Sequence, residues 1–424
     1  MPLVVQKFGG SSVADAASIK RVARRIVETK EAGNDVVVVV SAMGDTTDEL
    51  LELAASVTDA PAERELDILL TAGERISMSL LAMAITELGV LARSYTGQQA
   101  GVLTDAAYGK ASIVGVVPER IARTLKDGAV AIIAGFQGVT ESMDVTTLGR
   151  GGSDTTAVAI AAALGADVCE IYTDVDGLFT ADPRIVPTAR QITAITSEET
   201  LEMAAHGAKI LHLRAVEYAR RYNVPIHVRS SFSNKVGTWI ATESSQTEEE
   251  SMEDPIIAGV AHDRSQGKIT VIGVPDVPGA AARLFAVVAG AGANVDMIVQ
   301  NVSSEATGLT DISFTLPEAD GQATLDALRA AEGDLGYADL RYDDQIGKLS
   351  LVGAGMRSHP GVSAKLFGAL FDAGINIEMI STSEIRISVV TRAEVLDEAV
   401  RAVHTAFDLD SSESEAVVYG GTGR

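Results

Sequence analysis

The chain has 424 residues, 46% of them hydrophobic and 22% charged, the balance of a globular protein of two or three domains rather than of a disordered or fibrous one. Its 58 acidic residues against 34 basic ones leave a formal charge of −24 at pH 7, which argues against nucleic acid or an anionic membrane as partner and requires basic groups to be focused wherever an anionic substrate binds. The single cysteine, Cys169, rules out an intrachain disulfide and fits a reducing, cytoplasmic setting.

The opening Met1-Pro2-Leu3-Val4-Val5 reads as a strand, not a signal peptide, and no run of about 18 consecutive apolar residues is present. Residues 14–30 carry Ile19, Val22, Ala23 and Ile26 at helical spacing, and Gly33-Asn34 is a helix stop. Residues 36–40 are five consecutive valines, the signature of a strand covered on both faces, and 130–134 and 168–172 are similar. Cys169 lies inside the last of these and reads as a buried strand residue rather than a nucleophile. Strand and helix alternating in this way predict a parallel α/β sheet, with ligands beyond the carboxyl ends of the strands.

The polar stretch 242–254 predicts a linker. Beyond it the chain repeats itself: a strand, Val-Pro-Gly or His-Pro-Gly, a helix, then Asn-Val-Asp-Met-Ile or Asn-Ile-Glu-Met-Ile. Gly279 matches Gly361, Phe285 matches Phe367, Asn294 matches Asn376 and Ile298 matches Ile380. Each copy follows a βαββαβ pattern. The expected boundaries are a catalytic domain over 1–245, a linker and first strand over 246–266, and repeats over 267–345 and 346–424. The strand at 256–262 precedes the first repeat, and which repeat it joins is open.

Four clusters in the first half suggest chemistry. Lys7-Phe8-Gly9-Gly10-Ser11-Ser12 follows the first strand; it is either a plain strand-to-helix turn or a phosphate cradle, in which glycines admit the phosphate and Lys7 supplies the point charge. No G-x-x-x-x-G-K-[ST] loop is present. Thr147-Leu148-Gly149-Arg150-Gly151-Gly152-Ser153-Asp154 opens a helix; Arg150 suits a carboxylate, and Asp154 is either a cap or a partner that orients Lys7. Ser41 to Thr47 follows the valine strand and pairs with Gly73-Glu74-Arg75, where Glu74 is either an exposed first-turn acid or the partner of a substrate ammonium. Tyr172-Thr173-Asp174-Val175-Asp176-Gly177, with Phe179 and Arg184 after it, suits a nucleotide; it lacks the closing Glu of a calcium loop. Gly207-Ala208-Lys209 places one more lysine within reach of phosphate. Gly353-Ala354-Gly355 lacks the third glycine of a dinucleotide loop. His206 and His212 lack metal-ligand spacing and read as packing or capping residues.

Taken together, these motifs resemble, in order and spacing over the whole chain, the aspartokinases of the amino-acid-kinase superfamily, whose duplicated C-terminal domains are of the ACT type. The likeness is greatest to the actinobacterial enzymes inhibited jointly by lysine and threonine. It implies a three-layer α/β sandwich with a mainly parallel central sheet, followed by two ferredoxin-like βαββαβ domains. It implies phosphorylation of L-aspartate by MgATP, the first step of lysine, threonine and methionine biosynthesis. Lys7, Asp154 and Lys209 would be catalytic. Ser41, Thr47, Glu74, Arg150 and Ser153 would bind aspartate; Gly9, Gly10, Thr173, Asp174, Phe179 and Arg184 would bind the nucleotide. Mg²⁺ would come only with ATP, with no resident metal or organic cofactor. Leu213 stands where many relatives have proline.

A free amino acid could lie between a Pro-Gly helix start and the strand bearing Asn and an acid in each repeat. The effector set is then Asp276, Gly279, Ala281, Asn294, Val295, Asp296 and Gln300 in the first copy. In the second it is His359, Gly361, Val362, Asn376, Ile377, Thr382 and Glu384. The resemblance also implies an oligomer formed through the repeats, and an internal start at Met252 would make a shorter regulatory subunit. Two other readings stand beside this one: a superfamily kinase for glutamate, acetylglutamate or a nucleotide, and an inactive amino-acid sensor.

Overall fold

The computed structural model describes residues 1–208, 210–241, 257–301, 307–411 and 416–419. Lys209, Met252 and the 246–256 part of the expected linker therefore lie outside the described residues.

The first half is built on an eight-stranded sheet. Four strands at its centre, Val168–Thr173, Leu3–Phe8, Asp35–Val40 and Val130–Ala134, run parallel. The five valines explain why this sheet must be a middle layer. All are fully buried, and alternate ones enter different cores: Val36, Val38 and Val40 pack with Ile19, Val22 and Ile26 of the helix Ala16–Glu31, while Val37 and Val39 pack with Val158 and Ile160 of the helix Gly152–Leu164. A period of two across a strand with no polar face requires cover on both sides. Cys169 is likewise fully buried, and burial pushes its thiol far above the usual range, as expected of an inert strand residue.

The first helix begins two residues later than the apolar pattern suggested. A short 3₁₀ turn, Gly10–Val13, comes first, and Asp15 then caps the helix by accepting from the Ser18 N–H at 2.7 Å. Gly33, with φ +93°, ends the helix as expected. Residues Glu63–Glu87 form a run with the length and apolar character of a membrane span. It consists of two helices, Glu63–Leu70 and Ala72–Glu87, which carry the buried acids Asp67 and Glu74. Leu70, Met78, Leu81, Ala84 and Ile85 of this run are buried, while Ile68, Ile76, Leu80 and Met83 are exposed.

Each repeat forms a four-stranded antiparallel sheet. The first follows the expected order, from Gln266–Pro275 through the helix Ala280–Gly290, the strands Ile298–Gln300 and Leu309–Pro317 and the helix Glu318–Ala330 to Asp339–Asp343. The second differs. Its core strand Ile346–Val352 is flanked by Arg386–Arg392 on one side and by Gly259–Asp263 on the other. The place that Asp339–Asp343 takes in the first sheet is filled here by the segment preceding the first repeat. The two units are therefore interleaved, and 346–424 does not close its own sheet. The chain after the last helix, Leu396–Ala406, instead returns to the kinase-like half, where Tyr419 N–H donates to Asp174 O at 2.8 Å and Ala416 N–H to Pro187 O at 2.9 Å.

Candidate active site

The carboxyl ends of the strands Leu3–Phe8 and Asp35–Val40 face the first turns of the helices Gly152–Leu164 and Ala72–Glu87. Because side chains alternate along a strand, Lys7 points toward the first of these helices, while Gln6 and Phe8 turn away to Glu170 and Tyr172. Lys7 Nζ lies 2.6 Å from Asp154 Oδ1, with both side chains largely buried. Asp154 makes no capping bond; the N-cap position is Gly151, with φ +69°. Of the two roles open to Asp154 in the sequence, the partner of Lys7 is the one the geometry has.

Close approach constrains Gly10 and Gly73 in this region, while Gly9 has only ordinary contacts. A Cβ on Gly9 would lie 3.4 Å from Lys7 Nζ, and one on Gly10 would lie 3.1 Å from the carbonyl oxygens of Ala42 and Gly44. The Gly10 and Gly44 backbones are joined by a 3.2 Å hydrogen bond. A Cβ on Gly73 would come within 2.7 Å of the Ala42 Cβ, so only glycine lets the helix start sit against the 41–44 loop. That contact places Glu74 in the site. Glu74 is 3% exposed and accepts from the Ala42 N–H at 3.1 Å through Oε1, while Oε2 is buried without a partner. Burial pushes its carboxyl up to about 7. An orphaned buried acceptor is costly, and here it faces the same loop as Ser41, whose carbonyl accepts from Ser77, and Thr47, in the first turn of Thr46–Val57.

Ser153 is buried, and it is backed by a residue the sequence did not single out: a Cβ on Gly135 would lie 2.7 Å from Ser153 Oγ. Next to it Phe136 has φ +67°, a conformation that costs a bulky side chain free energy and is maintained here against the Ser153 turn. Asp67 was also not singled out. Its buried carboxylate accepts from Thr147 N–H at 2.9 Å, Thr147 Oγ1 at 2.7 Å and Gly109 N–H at 3.0 Å, fixing the start of the 147–154 loop. Arg150 stands exposed between two left-handed glycines. His212 packs its ring on Gly151, where a Cβ would come within 2.0 Å, and burial lowers its basicity. Leu213 is the first residue of the helix Leu213–Tyr222. This is the position where proline is tolerated because its N–H has no intrahelical partner, so the exchange leaves the helix start intact.

Thr173, Asp174, Phe179 and Arg184 line one cavity together with Gly207, Ala208 and the strand residues Val260, Ala261 and His262. Arg184 lies 3.8 Å from Asp174, and Thr173 Oγ1 donates to Asp174 at 3.0 Å. Phe179 is 5% exposed and belongs mainly to the core shared with the second regulatory sheet. Among the described residues no group of three or more His, Cys, Asp or Glu side chains could hold a metal ion.

The structure divides the expected effector residues. Asp276, Gly279, Ala281 and Gln300 line a cavity of about 300 Å³ at the start of the helix Ala280–Gly290. Asn294, Val295 and Asp296 do not join them; they line a cavity of about 490 Å³ against the kinase half. Asp296 instead pairs with Lys348, which is almost wholly buried, and Glu378, its counterpart in the second repeat, pairs with Lys268. The acids of the two repeats thus brace the sheets to each other. In the second copy Gly361, with φ +99°, heads the helix that starts at Val362, as Gly279 does in the first. His359 Nδ1 is hydrogen-bonded to Gly355 O at 2.8 Å, and Thr382 ends the strand Met379–Thr382 with Glu384 two residues beyond. Asn376 and Ile377 precede that strand, in the position that Asn294 and Val295 hold in the first copy.

The model of the amino acid kinase family matches residues 2–230, and ACT-domain models match 268–333 and 349–407. The chain is 62% identical to an aspartokinase of Mycolicibacterium smegmatis and 59% identical to one of Corynebacterium glutamicum, each over the whole length of both proteins. Among solved structures it is similar to E. coli aspartokinase III in complex with aspartate and ADP, with 26% identity, a TM-score of 0.80 and coverage of 95% of this chain and 99% of that one.

The raised Glu74 carboxyl makes a stability prediction. Its folded-state value lies above the ordinary glutamate value of about 4.5, so folding takes up a proton and the ligand-free protein loses stability as pH rises from about 4.5 through 7. Denaturant unfolding across that range is expected to show this loss, and Glu74→Gln to flatten it. A variant with the same pH slope as the parent would place the titration elsewhere.

Proposed function

The chain belongs to the aspartokinase family, and from that premise we propose how its residues divide the work of phosphorylating L-aspartate to 4-phospho-L-aspartate. The observation that carries the reading is the orphaned, buried Glu74 oxygen at a helix start packed on the 41–44 loop, the same loop that Gly10 of the Lys7–Ser12 segment contacts. A buried, unpartnered carboxylate next to a glycine-lined cradle suits a substrate that brings an ammonium to a phosphate site. Glu74 takes the α-amino group, with Ser41, Thr47 and Ser153 around it and Arg150 on a carboxylate. The side-chain carboxylate of aspartate is already ionised at pH 7, so no general base is needed, and catalysis consists of positioning and charge neutralisation. Lys7 faces the transferring phosphoryl group, held by Asp154, with Lys209 as the second cation. Gly9 and Gly10 let the phosphates approach, and Thr173, Asp174, Phe179 and Arg184 line the nucleotide cavity. Mg²⁺ arrives with ATP as part of the substrate.

The reaction opens lysine, threonine and methionine biosynthesis in the cytoplasm, and end-product amino acids, lysine and threonine, inhibit it through the repeats. The cavity at Asp276, Gly279, Ala281 and Gln300 is the effector site best supported by geometry, having a helix start on one side and polar side chains on the other. E. coli aspartokinase III has been solved in complex with lysine and aspartate; this chain is 26% identical to it with a TM-score of 0.71. A product started at Met252 would include the strand Gly259–Asp263 and so keep both regulatory sheets complete. A single full-length band from untagged native expression would remove that subunit.

ADP release with MgATP and L-aspartate is expected to be aspartate-dependent and most strongly suppressed by lysine and threonine together. Turnover with glutamate but not aspartate would overturn the substrate assignment. Asp154→Asn is expected to lower turnover about 100-fold and, because it leaves Lys7 largely buried without its counter-charge, to lower the unfolding midpoint as well; full turnover would remove Asp154 from its role. Lys7→Ala is expected to abolish turnover and leave effector binding intact. The KM for aspartate is expected to rise toward about tenfold per pH unit as Glu74 protonates below pH 7, and Glu74→Gln to remove that dependence.

A further inference from the structure

The helix Ser197–Ala205 leads directly into the Gly207–Ala208 turn of the nucleotide cavity. Regulatory residues grip it along its length. Near its start the buried Glu199 accepts from the Ala354 N–H at 2.8 Å. In its last turn Glu202 Oε2 lies 3.1 Å from Arg386 Nε of the second repeat and 3.2 Å from His206 Nε2. His206 Nδ1 faces Asp296 of the first repeat at 3.9 Å, and Asp296 is paired with the buried Lys348. At Gly207 the contact becomes backbone on backbone: a Cβ there would lie 1.7 Å from His262 O, on the strand that edges the second regulatory sheet.

We propose that Glu202 is a positioning residue for nucleotide binding, its pair with Arg386 fixing the helix Ser197–Ala205 and through it the Gly207–Ala208 wall of the nucleotide cavity. The inference rests on the reading of that cavity as the nucleotide site. The aspartate residues come from other segments, the 41–47 loop and the starts of the helices Ala72–Glu87 and Gly152–Leu164, and none of them touches this clamp. Loosening the clamp therefore weakens the nucleotide and spares aspartate. An ion pair whose two side chains are both partly buried at a contact between two domains contributes enough for a fold-change of about five to thirty on removal.

The test is calorimetric titration of the full-length protein with MgADP, alongside steady-state kinetics, for the parent and for Glu202→Gln, Arg386→Met, the double variant and Arg386→Lys. MgADP affinity is expected to fall about five- to thirtyfold in each of the first two and no further in the double variant, because both remove one interaction. Arg386→Lys is expected to recover affinity to within about threefold of the parent. The KM for aspartate should stay within about twofold throughout. MgADP affinity unchanged in Glu202→Gln and Arg386→Met would overturn the proposal. So would a parallel loss of aspartate and MgADP affinity with a lowered unfolding midpoint, which marks a merely structural contact. Failure of the parent itself to bind MgADP would overturn the nucleotide reading, and this inference with it.

Discussion

The ion pair between Lys7 and Asp154 ties together the two segments on which the kinase-half site is built. One partner ends a central strand and the other opens the helix that covers that strand, so the pair exists only when sheet and helix are docked. Its chemistry suits a phosphate site in a chain of net charge −24. Lys7 alone, largely buried, would carry an uncompensated charge. Paired with Asp154 it is locally neutral, and in the role proposed for it the cation would already be in place for an anionic phosphoryl group, with no reorganisation needed as charge develops. Gly10 and Gly73 serve the same constraint, Gly10 by admitting the Ala42 and Gly44 carbonyls and Gly73 by admitting the Ala42 side chain, so that both segments sit against the 41–44 loop.

The regulatory half rests on a second arrangement with the same logic. Lys268 and Lys348 occupy corresponding strand positions, and each takes the acid of the other repeat, Glu378 and Asp296. Met297 and Met379, which follow those acids in the two Asn-x-acid-Met stretches, pack together with Ile346 and Val390 in a small shared core. The duplication thus produces a two-fold contact inside one chain, polar at the two ends and apolar at the middle. In the sequence an acid near a helix start suits a free ammonium; in the structure Asp296 and Glu378 each face a lysine of the sister repeat.

Much of the kinase half could be read from residue patterns. An unbroken valine strand fixes a middle layer, and glycine clusters after strands fix the loops at its carboxyl edge. Lys7, Asp154, Glu74 and Ser153 lie at the strand end and helix starts where those patterns put them, while the roles given to them came from the family resemblance. Asp67, Gly135 and Phe136 did not announce themselves, because a buried acid bonded to backbone N–H groups looks in sequence like any helix acid, and a positive φ at phenylalanine has no sequence signal. The interleaving of the repeats was equally hidden. Nothing in the composition of 256–262 distinguishes a strand that closes the first sheet from one that closes the second, since both places offer an antiparallel edge beside a lysine-bearing core strand.

That choice of edge has a mechanical consequence. If Gly259–Asp263 closed the first sheet, or lay free as a linker, the regulatory half would keep its C-terminal segment and the Arg386, Asp296 and Ala354 contacts on the kinase half but lose the sheet edge there. Because it closes the second sheet, the same five residues are hydrogen-bonded to Ile346–Val352, donate from Val260 N–H to Thr180 O at 2.7 Å, and wall the cavity that contains Thr173 and Arg184. A rigid antiparallel sheet resists shear within itself far better than it resists movement as a body against its neighbour. Any tilt of the second sheet relative to the kinase half therefore has to carry the 260–262 wall with it or break the Val260–Thr180 contact. Coupling between the halves needs no long path through the core, because the regulatory sheet's own edge strand is part of the catalytic half's surface.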